Sequence, residues 1–382
     1  MTDVTADPID ELRARTSEKW TAYPADVLPL FVAEMDYPIA PAVAKAMIDR
    51  ITASDTGYVG GPGALPAEFA GFAERRWGWT IDTDLVRTTT DVSVAIVETL
   101  RQLIRPGDGV IITPPVYPPF FDLVPEAGGT VVEVPLADDG ETWRLDLDGI
   151  EAAFASGARA ILLCNPHNPL GLVHSRDSLA ALAELAQRFD AVVVSDEIHA
   201  PLTHPDTAFT PFLSVSDAAR EHGMCVTSAS KAFNLAGVKC ALMVAASERM
   251  RTALDTMPLE VGFRTSLLGL HASIASFDES ADGWLDGTIA AIRSNLELLE
   301  SLVTVYLPGV RFRMPHAGYL VWLDLRALGW GDDPSARALE SARVALNPGP
   351  SFGEQGKGFA RINVACSPEV LSEAILRIAS AR

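Results

Sequence analysis

The stretch ARAILLCNPHNPLGLVHSRDSLAALAELAQRFDAVVVSDEIHAP, Ala158 to Pro201, sets out a strand, a helix and a second strand. ARAILLC (158–164) is a nearly unbroken apolar run, which suits a strand buried on both faces rather than one with a wet side. SRDSLAALAELAQRF then carries helical spacing with Ser175 in the capping position. AVVVS (191–195) is another buried strand. A strand, a covering helix and a further strand at this spacing imply right-handed crossovers and a mostly parallel sheet with helices on both faces.

The same texture continues on both sides. VSVAIVETLRQLI (92–104) reads as a helix with Val94, Val97, Leu100 and Ile104 on one face. PGDG turns it into the strand VIIT, and MCVTS (224–228) is a fourth strand. After about residue 283 the pattern changes to a long helix, TIAAIRSNLELLESLV, the strand-like GYLVWLDL and a last helix from Pro368. We therefore expect an α/β chain in three parts. Residues 1–49 form an N-terminal arm and part of a small domain, 50–283 a large domain, and 284–382 a small α+β domain.

Composition narrows the functional classes. With 382 residues and 48% hydrophobic content, the chain can bury a large core. Its formal net charge of -20 disfavours nucleic acid and anionic membranes as partners, since both would repel it. Cys164, Cys225, Cys240 and Cys366 form no CxxC pair, so neither a disulfide framework nor a metal site is expected. The acidic N-terminus lacks the character of a secretory signal, and no apolar run reaches the roughly 18 residues of a membrane span. Small-molecule chemistry in the cytoplasm is the expectation.

In a parallel sheet, ligands gather beyond the carboxyl ends of the strands. Four polar clusters fall there: TPPVYPPF (113–120), NPHNPLG (165–171), SDEIHAP (195–201) and SASK (228–231). The last opens SASKAFNLAGVKCA, a puzzle in itself. From Gly223 to Ser247 the only charged residues are Lys231 and Lys239, with no carboxylate beside them. A lysine so placed either reaches out to water or loses its proton and becomes a nucleophile. Nucleotide cradles fit poorly, because there is no GxxxxGK[ST] and the glycines of GYVGGPG do not follow a strand as GxGxxG.

Asn168, Asp196 and Lys231, in that order and each just past a strand, resemble the cofactor constellation of the fold-type I pyridoxal phosphate (PLP) enzymes. More narrowly, CNPHNPLG, VVVSDEIHAPL, SASKAFNLAGVKCA and ARINVACS resemble the MalY/PatB family of cystathionine β-lyases, or C-S lyases, and its actinobacterial members above all. VLPLFVAEMDY and GYVGGPGALPAEFAGFAERRWGW match as well, so the likeness runs from about residue 20 to the C-terminus.

The resemblance implies a role for each position, and the chemistry of each residue suits it. Lys231 would form the Schiff base with PLP, Asp196 would pair with the pyridinium nitrogen, and Asn168 would bond the ring oxygen. Tyr117 would lie against the ring face. For the phosphate, Val92, Ser93 and Val94 open a helix with free N–H groups, while Ser228, Ser230 and Lys239 add hydroxyls and a cation. Arg361 would clamp the substrate α-carboxylate with its planar fork. Each has a plainer alternative: a snorkelling Lys231, a surface Lys239, an Arg361 in a structural ion pair, a Tyr117 anchoring its loop, and a Glu197 that merely caps the next segment.

His199 separates the reactions this fold supports. Aminotransferases usually carry tyrosine three residues after the pyridinium aspartate, whereas the lyases of this family read DEIH, as here. The resemblance therefore implies C-S β-elimination, releasing a thiol, pyruvate and ammonia, with homocysteine as the thiol if L-cystathionine is the substrate and methionine biosynthesis as its setting. A class I/II aminotransferase is the alternative. A regulatory protein acting through a protein contact is a third reading, and nothing specific supports it. Tyr58, in the glycine-flanked TGYVGGPG, would reach across a homodimer interface to the partner's PLP phosphate, so that the two chains share their active sites.

Overall fold

The computed structural model describes residues 2–382 and divides into two compact units. The larger comprises Ile39–His167 and Leu172–Asp282; the smaller takes the residues up to Pro38, the short segment Asn168–Gly171, and Gly283–Arg382.

The larger unit is built on seven strands: β1 (Val86–Thr89), β2 (Gly109–Ile112), β3 (Thr130–Glu133), β4 (Ala158–Cys164), β5 (Val192–Asp196), β6 (Gly223–Thr227) and β7 (Ala241–Val244). Their order is β1-β7-β6-β5-β4-β2-β3. Every pairing from β6 to β3 is parallel, and β7 alone runs antiparallel to both its neighbours. The apolar runs read from sequence are the central strands. β7 begins at the last residue of SASKAFNLAGVKCA and went unread, because only its pairing with β1 and β6 distinguishes ALMV from any short apolar segment.

Helix α1 (Val92–Leu103) begins at Asp91, whose side chain accepts the Val94 amide at 3.0 Å. It packs into the core formed by Val110, Ile112, Leu162, Val194, Val226 and Met243. The expected apolar face is corrected in detail: Val92, Ala95, Ile96, Val97 and Leu100 are buried, whereas Val94 is only half-buried and Ile104 lies just past the helix end. Contact with a broad sheet buries a wider arc than a single i, i+3 row, so the row chosen from sequence was too narrow. Helix α2 (Arg176–Arg188) is capped as expected by Ser175, whose hydroxyl accepts the Ser178 amide. It buries Leu179, Leu182 and Leu185, each contributing roughly 1.5–3 kcal/mol by leaving water.

In the smaller unit, β8 (Leu320–Asp324), β9 (Asn347–Pro348) and β10 (Phe359–Asn363) form an antiparallel sheet with β10 in the middle. The long helix α3 (Asp282–Tyr306) and the terminal α4 (Pro368–Ser380) belong with it. Asn295 on α3 donates to Val364 and Cys366 carbonyls, both at 2.7 Å, and so ties the helix to the end of β10. The N-terminal residues join this unit through Leu28–Pro29, paired with Val344–Ala345, and through the Asp36 amide, which donates to the Ala365 carbonyl at 2.9 Å. Within the arm, Lys19 and Asp36 form a buried ion pair at 2.7 Å, and burial pushes the Asp36 carboxyl up against the pull of Lys19, so desolvation offsets much of the attraction. No described helix is long and apolar enough to cross a membrane.

Candidate active site

Tertiary structure answers the puzzle of the lysine without a carboxylate. Asp196 is the last residue of β5, Lys231 follows β6, the strand paired with it, and the Lys231 charge pulls on the Asp196 carboxyl. Asp196 is buried, and its Oδ1 accepts the Ile198 amide at 3.1 Å. Burial nevertheless dominates and pushes this carboxyl up to about 7, against the Ile198 bond and Lys231. The group lacks enough positive charge around it to ionise easily. It is poised to receive a cation.

The second lysine has a carboxylate of its own. Lys239 Nζ donates to Asp91 Oδ2 at 3.0 Å, and the backbone of Lys239 is left-handed, with φ 59°. Asp91 thus caps α1 with one oxygen and holds Lys239 with the other. The Val94 amide is committed to that cap, leaving the Val92 and Ser93 amides at the first turn. Ser228 donates to the Cys240 carbonyl at 2.6 Å and accepts the Ser230 amide at 3.1 Å, so its hydroxyl closes the turn that carries Lys231.

Around these groups, Tyr117 is half-buried in the loop after β2, with its ring edge-on to Phe120 at 5.8 Å. His199 is buried at the start of a short 3-10 turn, Ala200–Leu202. Glu197 departs from its plainer reading as a cap. It is fully buried, its Oε1 accepting the Ser195 hydroxyl at 2.9 Å and the Phe212 amide at 2.8 Å, and it anchors the chain immediately after Asp196. Behind the loop, His167 and His174 form a buried edge-on pair; burial lowers them to about 4 and about 3.

Tyr58 is 95% exposed. Its loop borders a cavity of about 300 Å³ lined by Val59, Pro62, Met243, Met257, Val261 and Phe263, all in the larger unit. Leu259 and Phe263 are exposed apolar neighbours of the same cavity.

In the smaller unit, Asn168 and Arg361 are brought together. Arg361, on β10, is 3% exposed; its Nη1 donates to Asn168 Oδ1 and its Nη2 to the Phe31 carbonyl, each at 2.9 Å. Asn168 is held in turn by its short segment, because the Gly171 carbonyl accepts the His316 and Ala317 amides at 2.8 and 3.1 Å. Gly171 has φ 61° and lies so close to Pro315 that a side chain would collide, so only glycine fits. Sequence reading missed Asp91 and the buried anchoring by Glu197. An Asp before a helical run was a visible cap signal; the burial of Glu197 had none.

Taken by chemistry, the larger unit holds an amine, a buried carboxyl raised by burial and a helix start with a cation beside it, and the smaller unit holds a guanidinium bonded to an amide.

Residues 25–378 match the model of the family described as aminotransferase class I and II. A Mycobacterium leprae chain, provisionally named a cystathionine β-lyase, is 43% identical over 98% of this chain and 96% of its own length. The cystathionine β-lyase of Corynebacterium glutamicum is 35% identical over 97% and 98%. Cystalysin from Treponema denticola, solved with a pyridoxal 5′-phosphate cofactor, matches with a TM-score of 0.90 and 28% identity, covering 100% of this chain and 99% of that one.

Proposed function

The chain belongs to the aminotransferase class I and II family, and we propose that within it this protein is a PLP-dependent C-S β-lyase. It cleaves L-cystathionine or related S-substituted cysteines to a thiol, pyruvate and ammonia. The observation that carries this reading is Asp196: a buried carboxyl at a strand's carboxyl end, pushed up to about 7 and within reach of the Lys231 charge. A protonated pyridine nitrogen is the cation such a group lacks, so the residues present fit the cofactor.

Bound PLP supplies an electron sink for the bond to Cα. Lys231 would hold it covalently, and its amine would serve as the base that takes the Cα proton. Asp196 keeps the ring nitrogen protonated, and Asn168 orients the ring through its oxygen. The Val92 and Ser93 amides and Lys239 carry the phosphate charge, and Tyr117 rests on the ring. Arg361 binds the α-carboxylate and thereby orients the substrate. The C–S bond breaks with the electron pair leaving on sulfur, which gains a proton and departs as thiol. The remaining three-carbon enamine takes up water to give pyruvate and ammonia.

The aminotransferase reading uses the same residues, and His199 in DEIH favours elimination over it. Incubation with L-cystathionine and no keto acid tests the choice: pyruvate should accumulate. Product that forms only when 2-oxoglutarate is added would decide for the aminotransferase. The exposed Tyr58, Leu259 and Phe263 around one cavity support a homodimer in which Tyr58 serves the partner's site.

A further inference from the structure

Arg361 is fixed in the plane of its guanidinium by two hydrogen bonds, Nη1 to Asn168 and Nη2 to the Phe31 carbonyl. Two bonds at the rim of a planar group leave its tilt unset. The tilt is set by a ring: the Arg361 guanidinium carbon lies 5.2 Å over the centroid of Phe352, which is completely buried.

Phe352 is itself braced. Trp322, directly opposite Arg361 in the β8–β10 pairing, meets Phe352 edge-on at 5.0 Å and stacks on Phe359 at 5.4 Å with the rings 8° apart. Arg326 lies over the Phe359 ring at 4.9 Å and is clamped by both carboxylate oxygens of Asp324, at 2.8 and 2.6 Å. The row runs from an exposed ion pair through three rings to the buried Arg361. The loop that carries Phe352 is equally constrained, because Gly349 and Gly356 pack backbone to backbone and a side chain on either would strike the other's carbonyl.

We propose that Phe352 is a positioning residue for substrate recognition: its ring holds the Arg361 guanidinium in the one plane that receives an α-carboxylate, and so makes the chain selective for amino acid substrates carrying it. This rests on the role given to Arg361 above. A guanidinium meets a carboxylate through two parallel bonds only when the planes coincide, so a few degrees of free tilt cost one of them. The ring also offers its negative face to a charge that has little water around it, where such contacts are strongest.

The test uses the holoenzyme and pyruvate release from L-cystathionine. Phe352→Leu and Phe352→Met keep the apolar volume and remove the ring. Each should raise KM about ten-fold, with kcat within about two-fold of the wild type. Placed in an Arg361→Ala background, Phe352→Leu should change KM by less than about two-fold, because its only target is gone. If Arg361→Ala alone leaves KM unchanged, the carboxylate role of Arg361 fails and this inference with it. If Arg361→Ala raises KM but Phe352→Leu acts equally in both backgrounds, or lowers kcat in step, Phe352 supports the scaffold only and this inference alone is overturned. Should neither ring-less variant fold, Trp322→Phe loosens the brace while leaving Phe352 in place. It should raise KM about three-fold with kcat kept, and an unchanged KM would again overturn the proposal.

Discussion

Arg361 Nη1 donates to Asn168 Oδ1 over 2.9 Å, a bond between two buried residues 193 positions apart. It joins the group assigned to the substrate carboxylate to the group assigned to the cofactor ring. Lysine could supply the charge of Arg361 but not its fork, and its three donors could not serve Asn168, Phe31 and both oxygens of a carboxylate together. Arg361→Lys should therefore raise KM for L-cystathionine by about ten-fold or more, read by steady-state kinetics. An unchanged KM would remove Arg361 from the substrate site.

Lys231 is assigned the covalent link. The purified protein should be yellow, and borohydride reduction followed by peptide mapping should place the pyridoxyl group on Lys231. Recovery of the label on Lys239 would overturn the assignment. Lys231→Ala should abolish turnover, since both the link and the proton acceptor disappear.

Asp196 has its carboxyl raised from 3.8 to about 7 by burial. Without cofactor its contribution to stability is fully present below 3.8 and lost progressively up to about 7, because over that range the unfolded chain has released a proton that the folded state still holds. Asp196→Asn should thus make the cofactor-free chain more stable at pH 8, by roughly a few kcal/mol, while weakening PLP binding. Urea unfolding and cofactor titration read the two effects. Loss of stability in the cofactor-free variant at pH 8 would contradict this account.

His167 and His174 predict the opposite trend. Their folded values of about 4 and about 3 lie below the ordinary 6.5, so the unfolded chain binds more protons as pH falls and the folded state loses ground from about pH 6.5 downward. Each histidine adds a slope of up to about 1.4 kcal/mol per pH unit. His174→Gln should show a shallower loss of stability than the wild type between pH 7 and 5, and an identical slope would rule out this histidine as a source.

Tyr58 is assigned to the partner's site. Mixing Lys231→Ala with a severely impaired Tyr58→Ala variant under subunit exchange should restore activity, because some heterodimers contain one site with both residues intact. No recovery, with exchange and the Tyr58→Ala defect verified, would confine Tyr58 to its own chain or to no catalytic role.

The amino-acid sequence alone determined the central parallel strands, the capped helix at Arg176–Arg188 and the residues just past the strand ends, because buried strands and capped helices leave local patterns of apolarity and spacing. The family resemblance added the reaction, through motifs such as DEIH and SASK. Only the tertiary structure decided which charges meet. Lys231 and Lys239 stand in a stretch with no acid, yet the fold sets Asp196 near one and Asp91, 148 positions earlier, against the other. Glu197 reads in sequence as a cap of the next segment and is a buried anchor, and no local pattern marks Phe352 as the ring beneath Arg361. Electrostatic and ring contacts act through space over a few ångströms, and distance along the chain carries no record of them until the strands have paired.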